Sequence, residues 1–160
     1  MVVQTTYSVN HRPLHAGQIA DDTLFNTVSG LPATDIPYGF GVIRDGQNVK
    51  IPASANEVKQ SFLGVAMYEL NRASTLASDG KIPAGFDATI ITEGHICVVI
   101  SEAVAAGDAV YLTHTGADAG KFAKTDSDAQ ILDSWEFKTA GTTLAVIGLK
   151  SNVVLPIVTP

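Results

Sequence analysis

The chain reads as an all-β protein, an antiparallel β-sandwich or small barrel of about ten short strands, with an irregular N-terminal arm and room for one short helix. Three observations predict it. Gly, Asp and Asn turn signals recur roughly every 8–12 residues. Val, Ile and Thr fill the runs between them, as pleated, half-buried backbone prefers. Helical periodicity is nearly absent.

Residues 1–35 are read as the arm and residues 36–160 as a single β domain. The arm has no sustained period and is broken by Pro13 and Pro32. Within it, "AGQIADDTLFNTVSG" has two readings. One is a short helical turn with Ile19, Leu24, Phe25 and Val28 facing inward; the other is an extended arm packed on a neighbouring surface. From residue 36 the punctuation is regular. "GFGVIR" and "NVKIP" flank Asp45-Gly46, a hairpin signal. "SFLGVAMYEL" is a strand in which Gly64 permits a bulge or a close backbone approach. A long polar loop, "NRASTLASDGKIPAGFD", precedes "ATIITEGHICVVISEA", two β-branched runs meeting at Glu93-Gly94. In "AGDAVYLT" the corner falls on Ala106 and Gly107, and Asp108 caps free backbone N–H groups as Asx residues do. Val110 and Leu112 then share one strand face. "KFAKT", "SWEFKTA", "TTLAVIGLK" and "VVLPIV" complete the strands.

Only 16% of the 160 residues are charged while 46% are hydrophobic. A surface so short of charge suggests cover by a partner or by further copies. Net charge is −6 and no Lys/Arg cluster occurs, which opposes nucleic-acid binding through phosphate neutralisation. Cys97 is the only cysteine, so no internal disulfide can form; its apolar strand setting marks it as a buried small hydrophobe. "MVVQTTYSVNHRP" lacks the basic-then-apolar pattern of a secretory leader, and no apolar run reaches membrane-spanning length.

Chemistry finds little purchase. GxSxG, GxxxxGK[ST], HExxH and CxxC are all missing. His11 and His15 have helical metal-ligand spacing, but Pro13 between them opposes the helix. His95 and Cys97 alternate onto one side of a strand, two ligands where zinc needs more. Asp126 starts an acidic turn, yet a calcium loop needs Gly and Glu where Ile131 and Phe137 stand. No lysine occupies the hairpin tip that a biotinyl or lipoyl carrier requires. Trp135 and Phe137 share a strand face, suited to core or oligomer-interface packing rather than to an aromatic sugar platform. No enzymatic activity, cofactor or metal is expected.

Taken in order, the hairpin "IPYGFGVIRDGQNVKIP", the strand "FLGVAMYE", the long "GFDATIITEGHICVVISEAVAAGDAVYLTHTGADAGKFAK" and the closing "AGTTLAVIGLKSNVVLPIV" resemble the capsid cement, or head decoration, proteins of tailed bacteriophages. The resemblance spans most of residues 30–158 and rests on order and spacing. It implies a non-enzymatic structural protein on the capsid exterior, made in the host cytoplasm without a signal peptide. As a homotrimer it would bridge major capsid protein subunits and stabilise the expanded head. Capsid contact is expected from the arm, through Tyr7, His11, Arg12, Leu14 and Phe25, and oligomer contact from Trp135 and Phe137. The alternative is a receptor- or glycan-binding β-module of a virion appendage, with Trp135 and Tyr111 as stacking groups.

Overall fold

The structure, a computed structural model, describes residues 15–21, 24–69 and 80–150. It is all-β with one short α-helix. Five strands close a barrel in the order β1 (Asn26–Pro32), β4 (Asn48–Lys50), β3 (Gly41–Asp45), β5 (Phe62–Ala66) and β7 (Ala88–Glu93). All pairings are antiparallel except β1 with β4. A second sheet runs β10 (Phe122–Ala123), β9 (Ala109–Thr113), β11 (Ala129–Phe137), β12 (Leu144–Leu149) and β8 (Ile96–Val99). Its outer strands are brought together by a single bridge, Ile100 to Phe122, so this sheet is itself almost closed. A two-stranded ribbon, β2 (Ile36–Pro37) with β6 (Lys81–Ile82), pairs with neither sheet but packs Ile36 and Ile82 into the barrel-side core.

Strand alternation divides the apolar residues between two cores. Ala66 and Ile90 turn into one cluster with Val42, Val49, Ala88 and Ile36. Their chain neighbours Val65 and Ile91 turn the other way, joining Ile96, Val98, Val110, Leu112, Phe122, Trp135, Phe137 and Ile147 of the second sheet. The β5–β7 wall therefore serves as barrel lining on one face and as the floor of the second core on the other. Glu93-Gly94 is the point where the chain leaves one sheet for the other.

The one α-helix among the described residues, α1 (Ala55–Ser61), lies outside the segment for which a helical turn was one of two readings. Ser54 caps it, its Oγ accepting from the Glu57 N–H at 3.3 Å, while Glu57 reaches back to the Ala53 N–H at 2.7 Å. Ser54-Ala55-Asn56-Glu57 is a capping-box pattern, a start signal visible in the chain but masked by the β-rich text around it. Of the two readings of residues 16–30, the described residues follow the extended one, packed on the protomer's own sheets. Residues 17–20 lie along β8: Cys97 N–H donates to the Gln18 carbonyl, Ala20 N–H to His95, and Ile19 bridges Ile96. They cover an edge that would otherwise be left unpaired. Residues 26–32, also assigned to the arm, form β1 and belong to the barrel. Gly30 and Pro32 disguised this strand, yet Gly30 is needed there, since a Cβ would come within 2.5 Å of the Val49 side chain.

Candidate interaction surface

The side chains with chemical potential are dispersed. His95 pairs with Asp21, Nδ1 to Oδ2 at 2.6 Å, and burial pushes the neighbouring Cys97 thiol up to about 11, where it is inert. Among the described residues no three His, Cys, Asp or Glu side chains are placed to share a metal ion. Lys50 sits 2.9 Å from Glu57, and Lys121 2.6 Å from Asp118, so these cations are matched by carboxylates and form no basic stripe. The Asp108 carboxylate accepts from the Ala105 N–H at 2.9 Å, the corner-capping role expected of it.

Trp135 and Phe137 are 5% and 1% exposed, inside the protomer's own second core, with Trp135 edge-on to Phe62. Side chains so fully covered have almost no area left to give a neighbouring copy, and the Trp135 ring offers no open face for a sugar. Of the capsid-contact residues expected from sequence, Tyr7, His11, Arg12 and Leu14 lie outside the described residues. Phe25 is described, and it is half exposed at the start of β1.

Exposed apolar groups cluster at two ends of β1. Leu24 is 90% exposed beside Phe25, and the Phe25 Cβ packs over Gly94, where a methyl group would intrude to 2.6 Å. Asn26 and Glu93 hydrogen-bond through their side chains just below. At the far end Leu31 is exposed, and Gly85 N–H donates to the Pro32 carbonyl at 3.0 Å, which holds exposed Phe86 nearby. Leu31 and Phe86 had no signal in the sequence, and Leu24, inward-facing in the helical reading, is instead exposed. Each sits in a segment without a sustained period, so the sequence gives no reliable face for it.

The corner after β8 is pinned by Glu102, whose Oε1 accepts from the Thr125 hydroxyl at 2.8 Å and from the Lys124 and Thr125 N–H groups at 2.9 Å. Partial burial pushes its pKa up, but these three hydrogen bonds outweigh that and leave the carboxyl below its ordinary value of 4.5. The folded protein thus holds this proton less tightly than the unfolded chain. The stabilisation is complete above about pH 4.5 and fades as pH falls through the lower folded value. Glu102→Gln is expected to lower stability at pH 6 by roughly 1 kcal/mol, with exposure keeping it small. Urea midpoints at pH 6 and pH 3 should show the gap between wild type and variant shrinking on acidification.

Comparisons with known proteins bear on this surface. Residues 3–150 match the family model described as structural cement protein (E217 gp24/Pam3 gp6). A chain from the capsid of Myoviridae phage XM1 shares the fold with a TM-score of 0.73 and 18% identity, over 94% of this chain and 99% of that one. No curated protein matches.

Proposed function

The chain belongs to the phage structural cement protein family, and from this premise we propose that it binds the outside of the capsid as a trimer, bridges major capsid protein subunits and stabilises the expanded head. As a member of that family it is a structural protein of the phage capsid with a non-enzymatic role. The observation that carries the finer reading is the exposed Leu24–Phe25 pair where the arm enters the barrel. Two exposed apolar side chains just before β1, continuous in sequence with an arm containing Tyr7, His11, Arg12 and Leu14, suit contact with another protein's surface. A trimer presents three such contacts, and their linkage multiplies a modest affinity without any new bond. A cement works through contact area, which agrees with a surface low in charge.

Co-sedimentation with expanded capsids tests this. Deletion of residues 1–15, and separately Leu24→Ser with Phe25→Ser, should each leave a folded protein that stays in the supernatant, with binding reduced about tenfold or more. Light scattering of the wild type should give three times 16.7 kDa. Undiminished sedimentation of both variants would overturn the placement of the capsid contact.

A further inference from the structure

Chain on both sides of Leu24 stands on one corner. Glu93, Gly94 and His95 lead from β7 into β8, and they hold residues upstream and downstream of Leu24. Upstream, Ala20 N–H donates to the His95 carbonyl at 2.9 Å, and His95 Nδ1–H donates to the Asp21 carboxylate at 2.6 Å. Downstream, Phe25 Cβ packs over Gly94 and the Asn26 side chain donates to Glu93. The Thr92 hydroxyl adds a bond to the Asn26 carbonyl at 3.2 Å, where the β1–β7 register shifts.

The corner's residue types suit this task. Gly94 is at φ +118°, and a Cβ there would meet Phe25 Cβ at 2.6 Å. The His95 ring is seated against Gly148 of β12, where a Cβ would overlap its edge, and Lys138 lies against the same glycine. Lys138 is in turn paired with Glu136 at 2.5 Å. Packing therefore fixes the imidazole as well as its bond to Asp21. Leu24 is 90% exposed, so it has almost no burial of its own to hold it. Its placing comes from the residues on either side.

We propose that the Glu93-Gly94-His95 corner is a positioning device, holding Leu24 and Phe25 in place before they meet a partner surface. The inference rests on the reading of that pair as the capsid contact. Chain held on both sides has fewer conformations to lose on contact, so the same apolar area gives tighter binding. Asp21 and His95 act through the chain and need no contact of their own with the partner.

Two readouts on the full-length protein test it. Without capsids, His95→Ala should speed hydrogen exchange of the Ala20 amide roughly threefold. The Thr113 amide, bonded to the Lys121 carbonyl at 2.9 Å, should be unchanged. His95→Asn, whose side-chain N–H can stand in for Nδ1–H, should restore the wild-type rate. In co-sedimentation with expanded capsids, His95→Ala should weaken binding roughly threefold or more, while His95→Asn does not. That loss should vanish in a Leu24→Ser/Phe25→Ser background, where nothing is left to position. Unchanged Ala20 exchange in His95→Ala would overturn the proposal. So would faster exchange with undiminished capsid binding; if Leu24→Ser/Phe25→Ser then still fails to sediment, the capsid contact stands and only its positioning falls. Full sedimentation of Leu24→Ser/Phe25→Ser would overturn both.

Discussion

Phe137→Ala is expected to remove about 3–5 kcal/mol of protomer stability and to leave the oligomeric mass of the remaining folded protein unchanged. The side chain is enclosed by the second core, among Val110, Leu112, Phe122 and Ile147. Truncation would lose the transfer free energy of the ring and leave a cavity. The walls of that cavity are held by two strands and cannot collapse. Its backbone adds rigidity: Phe137 N–H donates to the Asp108 carbonyl at 3.1 Å and its own carbonyl accepts from Gly107 at 2.7 Å. The Gly107-Asp108 corner is thereby locked to the strand that carries the ring. Urea unfolding followed by light scattering at fixed concentration separates the two roles open to this residue. A core residue lowers the midpoint alone. A variant of native stability whose mass falls to that of a monomer would restore Phe137 to the interface.

Gly64→Ala should cost about 3 kcal/mol or more, although it adds a single methyl group. In β5, Gly64 pairs with Val42 of β3 beside a register shift, and a Cβ there would land on the Ile91 carbonyl oxygen of β7 and lie 3.0 Å from Ile90 Cγ2. The obstacle is backbone, which cannot rotate aside as a flexible side chain could. Relief requires separating β5 from β7, the pairing that closes the barrel and carries Val65 and Ile91 into the second core. Both cores would be disturbed together. A thermal melt should show the midpoint falling by about 6–12 °C; a shift within about 2 °C would mean that the two strands reposition at little cost.

Much of this architecture was legible because it depends on local rules. Asp45-Gly46 makes the β3–β4 hairpin, with Gly46 at φ +63°. Asp108 caps its corner, Val110 and Leu112 share the buried face of β9, and Gly64 marks a close approach, each for the reason its residue type suggests. Two segments stayed ambiguous. In residues 17–30, the spacing of Ile19, Leu24, Phe25 and Val28 is compatible with a helical face, but Ile19 and Val28 pack inward along extended chain while Leu24 and Phe25 point out. What decides is the open edge of β8 and the place between β4 and β7, both made by residues far along the chain. At Trp135 and Phe137 the choice between core and interface could not be read from alternation alone. Alternation says that two side chains share a face and is silent on what covers it.

The sequence by itself determined the all-β class, the turns and the faces of the regular strands. Those follow from backbone sterics and the two-residue period, which act within a few residues. Only the tertiary structure decided that five of the strands close on themselves, that β5 and β7 divide two cores between them, and that apolar groups at the ends of β1 are left facing out. Each of these depends on which distant segments meet, and burial is a property of the meeting: the same phenylalanine is core or surface according to whether another strand arrives to cover it.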